Sequence, residues 1–192
     1  MTDTQLSRFT WIPKDLQQQM AARGMPTGNH VLVASATPTP VPDGTMRQCF
    51  GAHFVEVEVD TRLGTTRIVT YVAVHESGRI INPQTARDQI RGAVIQGIGQ
   101  ALHEDLLYDP VSGQPLTIGY YRARHLTHLD VPTIDVRFLE VNDGYGPFGA
   151  KTIGESGIIL APAAVANAIC NATGMRMTSL PITRDKILGA MG

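Results

Sequence analysis

The chain has 192 residues, 43% of them hydrophobic, with 16 Lys and Arg against 17 Asp and Glu and a formal net charge of -1. That length holds one ordinary domain with its own core, and the composition excludes wholesale disorder. The even charge balance gives no footprint for nucleic acid or an anionic membrane, and five Phe, five Tyr and one Trp leave little material for a base-stacking platform.

Cys49 and Cys170 form no CxxC pair and cannot make a four-cysteine iron–sulfur or zinc site, so they read as ordinary thiols. The first residues read as no signal peptide, the apolar stretches read as too short to span a membrane, and a reducing cytoplasmic location is the default expectation. Asn171-Ala-Thr matches a glycosylation sequon, which in such a protein reads as an accident of composition.

In chain order, residues 1–49 read as an irregular arm or connector. Within it, Asp15 to Ala22 suggests a short helix stopped near Gly24 and Pro26. Residues 35–45 carry three spaced prolines and read as extended. From Phe50 the texture changes, and 50–192 reads as the folded domain. Val55, Val57 and Val59 alternate with Phe54, Glu56, Glu58 and Asp60, the period of a half-buried strand. A turn at Thr61–Gly64 and a β-rich run from Thr66 to Val74 complete a hairpin.

Thr85 to Leu107 is the best helix, with Ile90, Val94, Ala101 and Leu102 on its apolar side. Gly92, Gly97 and Gly99 interrupt it, each at a cost of about 1 kcal/mol relative to alanine. Close packing accounts for such glycines, and so does backbone access to a large ligand; the residues alone favour packing. A turn at Asp109–Gly113, a strand from Thr133 to Glu140, and helices from Pro162 to about Asn171 and from Thr183 to Leu188 follow. The mixture of hairpins and separated helices is an α+β pattern.

The loop Gly146–Gly157 sets Gly146, Gly149, Gly154 and Gly157 around Lys151 and Glu155. Clustered glycines let backbone approach a ligand, and their N–H groups can cradle an anionic cofactor. Glu155 adjoins the apolar run after Ser156, where desolvation suits a general base. An exposed glutamate on a flexible loop has the same sequence, and on residue type alone is the commoner case. The six histidines show no HxH or HExxH spacing and read as packing or surface residues. No phosphate loop, dinucleotide fingerprint or serine elbow is present, and no residue reads as a metal ligand.

Several blocks, taken together, resemble the C-terminal part of the molybdenum-binding subunit of the xanthine dehydrogenase, aldehyde oxidase and carbon-monoxide dehydrogenase family. They are Gly51–Asp60, Val74–Pro83, Gln89–Glu104, Phe148–Glu155, Ala161–Ile169 and Leu180–Thr183, in the family's order and spacing. The resemblance implies an α+β molybdopterin-binding domain, here partial, of hairpins and packed helices. It implies that Glu155 is the base beside molybdenum and that Gln89 hydrogen-bonds the pterin. Gly92, Gln96, Gly97 and Gly99 fall in the cofactor-facing region, and Gly149, Ala150, Lys151 and Gly154 in the loop that carries the glutamate.

The reaction implied is hydroxylation of an aromatic heterocycle or aldehyde with oxygen from water. The implied cofactor is molybdenum-molybdopterin, in the cytosine dinucleotide form of a bacterial member. [2Fe–2S] clusters and FAD are implied on partner subunits. This chain has Thr152 where family members commonly have glycine and Ser156 where they have proline. The family subunit is several times longer and carries an upstream Gly-Gly-x-Phe-Gly loop that is missing here. The expectation is a fragment, or a small subunit starting at Met1 that completes its site on a larger molybdopterin-binding chain. A noncatalytic assembly subunit is the alternative, and a stand-alone ligand-binding domain the third reading.

Overall fold

A computed structural model describes residues 5–8, 14–24, 30–33, 44, 48–120, 123–144 and 146–191. The chain forms two compact units, Met1–Pro40 and Val41–Gly192. In the first, β1 (Gln5–Arg8) pairs antiparallel with β2 (His30–Val33), and α1 covers Lys14–Ala22. Its described parts are therefore regular, with a strand pair beyond the one short helix expected. The connector over 35–45 lies outside the described residues except for Gly44.

The second unit is an α+β domain built on a mixed three-stranded sheet, in the order β3 (Phe50–Asp60), β4 (Thr65–Glu76), β5 (Thr133–Leu139). β3 and β4 form the expected hairpin, and β5 runs parallel to β4. A parallel pair needs a long crossover, and α2 (Pro83–Leu102) lies within it. The valines of β3 are half-buried on the core side, while Phe54, Glu56 and Glu58 are exposed. On β4, Glu76 is buried at the strand's end on the opposite face, and the residues buried on the core face are Ile68, Tyr71, Ala73 and His75. Their spacing changes from three to two because Glu56 pairs with Thr70 and Val57 with Ile68, leaving Val69 unopposed as a bulge.

α2 starts at an Asn82 cap whose Oδ1 accepts the N–H groups of Gln84 and Thr85, with Pro83 in the first position. It ends earlier than the pattern to Leu107 suggests, because the Gly99 carbonyl takes the N–H groups of both His103 and Glu104 and the chain turns away. α3 (Ser156–Thr173) buries Gly157, Ala161, Val165 and Ile169, a stripe at four-residue spacing that meets α2 and β3. It stops at Gly174, at φ 76°.

Sequence reasoning starts this helix at Pro162, which the structure instead places inside it. The cost of an interior proline is offset by contacts of the earlier turn. A Cβ at Gly157 would lie 2.9 Å from the Ala93 Cβ, so that turn packs directly on α2. By length and composition alone α3 is also apolar enough to cross a membrane, contrary to the sequence expectation; in this fold its stripe packs on α2 and β3. α4 (Arg184–Met191) closes the unit with Ile187 in the core. Tyr71, Ile90, Val94, Ile98, Val165 and Ile169 form the centre of that core.

Candidate functional site

The loop after β5 returns across the end of β4 before entering α3. Gly78 and Ala150 form an antiparallel bridge, in which Lys151 N donates to Ser77 O at 2.9 Å and Arg79 N to Gly149 O at 2.8 Å. Gly78 has φ +64°, and a Cβ there would overlap the Gly149 carbonyl, so the close approach requires glycine. Farther on, Gln89 Nε2 of α2 donates to Gly154 O at 2.7 Å. That bond engages the amide nitrogen and leaves the amide oxygen as an acceptor for other groups.

Gln89, Gly92, Gln96, Gly154 and Glu155 line one groove of about 360 Å³, floored by Ala93 and Ile158. Gln89 and Gly154 also border an adjoining groove of about 480 Å³, whose wall includes Ser77, Arg79, Asn82, Ala150 and Lys151. Two sequence segments some sixty residues apart, Gln89 and Gly154 with a separation of 65, thus meet in one place. Glu155 is the N-cap residue of α3 and its side chain makes no capping bond. The helix dipole favours negative charge at that end. Its carboxylate is exposed within this chain, so the desolvation expected for a base is not supplied by these residues alone.

The glycines of α2 divide. Gly92 is exposed, and a Cβ there would meet nothing within 4 Å. Gly97 and Gly99 are buried, and a Cβ at either would overlap Ala161 or Glu104. Packing accounts for Gly97, whose neighbour is a fixed Cβ; at Gly99 the obstacle is the movable carboxylate of Glu104; and Gly92 is open groove surface. Gly149 has φ +80° and serves the bridge through its carbonyl.

Lys151 is buried at the side chain, 9% exposed, and its ammonium donates to Glu76 Oε2 at 2.7 Å and Gln48 O at 3.1 Å while lying 3.0 Å from Asp143 Oδ2. The hydrogen bond to Glu76 is the main reason its pKa rises above the ordinary lysine value. Glu76 is itself buried, and its Oε1 accepts Gly78 N–H at 2.8 Å. Sequence reasoning missed Glu76, because an ion pair across 75 residues leaves no spacing signal, and missed Asp143, which reads as an ordinary turn residue. It also missed Ser77, whose hydroxyl is buried, unpartnered and in the groove wall.

Two histidines do assemble. His53 Nδ1 lies 2.8 Å from Tyr71 Oη, and its Nε2 lies 2.8 Å from His75 Nε2. Burial pulls His53 down to about 4, with the neighbouring His75 adding to it, and lowers His75 as well. Burial also raises the Tyr71 phenol. These are neutral packing residues joined in a polar chain. Among the described residues no group of three or more His, Cys, Asp or Glu could hold a metal ion. Cys49 and Cys170 are free thiols, and Cys49 Sγ donates to Thr152 O at 3.2 Å.

The α+β unit thus carries a groove between helix α2 and the loop that bears Glu155. The molybdopterin cofactor-binding domain family matches residues 16–132. The aldehyde oxidoreductase molybdenum-binding subunit PaoC of Escherichia coli K12 is 42% identical over 140 residues, covering 72% of this chain and 19% of that protein. Subunit gamma of the 6-hydroxypseudooxynicotine dehydrogenase complex of Paenarthrobacter nicotinovorans is 39% identical over 148 residues, covering 76% and 18%. The crystal structure of quinoline 2-oxidoreductase from Pseudomonas putida 86 superposes with a TM-score of 0.69 at 38% identity, covering 73% and 18%.

The chain belongs to the molybdopterin cofactor-binding domain family, as a C-terminal domain related to the molybdenum-binding subunits of the xanthine dehydrogenase, aldehyde oxidase and carbon-monoxide dehydrogenase family. It spans about a fifth of the length of the relatives it matches.

Proposed function

We propose that this chain forms one wall of the cofactor site of a molybdenum hydroxylase and supplies Glu155 as its base. The observation that carries the reading is the convergence of Gln89, Gly92, Gln96, Gly154 and Glu155 on one groove. These residues fit a pterin. Gln89 and Gln96 bring amide groups suited to the hydrogen-bonding edge of a heterocycle. Gly92 leaves backbone bare where a flat ring can approach. In the adjoining groove the unpartnered Ser77 hydroxyl offers one more polar contact.

When bound, the molybdenum cofactor, in its cytosine dinucleotide form, supplies oxygen transfer and accepts electrons. The residues of this chain do the rest of the local work. Gln89, Gly92, Gln96 and Gly154 hold and orient the pterin, and the backbone of Ala150 and Lys151 fixes the loop. Glu155 receives the proton released as water-derived oxygen reaches the substrate carbon, and a carboxylate is suited to that task once water is excluded. The substrate is an aromatic heterocycle or an aldehyde, consistent with the names of the relatives.

A larger molybdopterin-binding chain covers Glu155 and completes the site. Iron–sulfur and FAD subunits carry electrons onward in a cytoplasmic heteromer, and residues 50–192 are the cofactor-binding portion. The test is Glu155→Gln in the co-purified assembly. Turnover falls by orders of magnitude while molybdenum content stays near wild type; full turnover in the variant refutes the assignment. The alternative, a noncatalytic assembly subunit, draws on Thr152 and on Ser156, whose hydroxyl is buried without a partner beside Glu155.

A further inference from the structure

We infer that Lys151 is a positioning residue for Glu155, acting through a charge cluster at the end of β4 that fixes the loop between β5 and α3. The inference rests on the reading of Glu155 as the base. A lysine in a glycine-rich cofactor loop is ordinarily taken as a cation for the ligand. Here the ammonium is already committed. A lysine has three donors, and three oxygens surround this one: Glu76 Oε2 at 2.7 Å, Asp143 Oδ2 at 3.0 Å and Gln48 O at 3.1 Å. The side chains of Lys151 and Glu76 are each 9% exposed, so solvent does little to screen the pair.

The cluster ties three stretches of chain to one point. Gln48 is on the approach to β3, Glu76 ends β4, and Asp143 lies in the loop after β5. Glu76 holds the adjoining turn as well, through Oε1 and Gly78 N–H at 2.8 Å. The Lys151 backbone lies in the bridge to β4, through its N–H to Ser77 O at 2.9 Å. Four residues on is Glu155, and between them Thr152 O accepts the Cys49 thiol and Gly154 O the Gln89 amide. The loop is thus pinned by its backbone on both sides of Thr152, and the Lys151 charge is the anchor nearest the sheet. Without that cation, the buried Glu76 carboxylate loses its counter-charge and the partly exposed Asp143 carboxylate loses its tie to the loop, so the loop loosens from the sheet.

The experiment uses the molybdenum-loaded assembly and compares Lys151→Met, the double variant Lys151→Met with Glu76→Gln, and Glu155→Gln. The double variant removes the buried carboxylate left uncompensated at Glu76, while the partly exposed Asp143 stays, and so restores folding without restoring the anchor. Both Lys151 variants are expected to lower kcat by about 100-fold, the scale of loss for a displacement near 1 Å of a reacting group. KM and molybdenum per complex stay within about twofold of wild type, and the acid limb of the kcat/KM profile against pH moves. A stability role alone leaves kcat normal in the folded double variant, and that result overturns the inference. Molybdenum lost in parallel with turnover assigns Lys151 to cofactor retention and overturns it too. If Glu155→Gln loses turnover and the Lys151 variants do not, only the positioning role falls. If Glu155→Gln keeps full turnover, the underlying reading falls first.

Discussion

Gly92 and Gly97 lie on one helix, five residues apart, yet replacing each by alanine is expected to change stability in opposite directions. In a helix interior, alanine is better than glycine by up to about 1 kcal/mol. At Gly92 nothing lies within 4 Å of the added methyl, so this gain is realised. At Gly97 the methyl overlaps the Cβ of Ala161 and sits 3.2 Å from Pro162 Cδ. Neither partner can rotate away, since one is a Cβ fixed to its backbone and the other belongs to a ring. Relief requires α3 to move against α2, and inserting a methyl into a packed core costs about 1–3 kcal/mol.

Gly97→Ala should therefore be destabilised by up to about 2 kcal/mol after the propensity gain, and Gly92→Ala stabilised by up to about 1. The assay is urea unfolding of the chain, read as a midpoint with unchanged slope. Adding Ala161→Gly to Gly97→Ala should recover part of the loss. A Gly97→Ala chain as stable as wild type, or a destabilised Gly92→Ala chain, refutes the division into a packing and a groove-facing glycine.

Acid should weaken the fold through the His53–His75 pair. His53 falls from 6.5 to about 4 on folding, so below 6.5 the unfolded chain takes up protons that the folded chain refuses. Stability is complete above 6.5 and falls towards 4, by at most about 3 kcal/mol from His53 at roughly 1.4 kcal/mol per pH unit, a ceiling that solvent screening of this part-buried ring lowers. Urea midpoints at pH 7 and pH 5 measure it, and an equal loss in His53→Gln counts against the assignment. Asn82→Ala removes the cap on α2 and should cost about 1 kcal/mol in a thermal melt; an unchanged melting temperature is the contrary result. In the loaded assembly, Gly92→Ala should lower molybdenum content although it stabilises the chain, and normal loading counts against cofactor contact at that position.

Local patterns carried most of the fold. The alternation of Val55, Val57 and Val59 specifies a strand without reference to any partner, and Gly174 stops α3 where sequence reasoning puts the stop. Pro162 misled because the turn before it is held by Gly157 against Ala93, a contact between segments 64 residues apart. The groove was legible through family resemblance at Gln89, Gly92, Gln96, Gly154 and Glu155. The resemblance could not separate Gly92 from Gly97 and Gly99, because all three share the helix and only packing distinguishes them. Nor could it show that the Lys151 ammonium is spent on Glu76, Asp143 and Gln48.

Much of what was hidden follows from one residue. Numbered outward from the Thr61–Gly64 turn, an unbroken hairpin would set Val57 opposite Ile68 and His53 opposite Val72, and would turn Val72 and Val74 to the core. That is the choice hydrophobicity favours. The bulge at Val69 shifts the register by one, so His53 stands opposite Ala73 and Val55 opposite Tyr71. A slip of one residue exchanges the two faces of a strand. Tyr71, Ala73 and His75 thereby become fully buried, and Val72 and Val74 only partly so. The His53 chain to Tyr71 and His75 exists only in this register. So does the placement of Glu76 on the face opposite His75, where its carboxylate meets Lys151. The alternation in β4 is ambiguous by itself, and the bulge at Val69 is what resolves it.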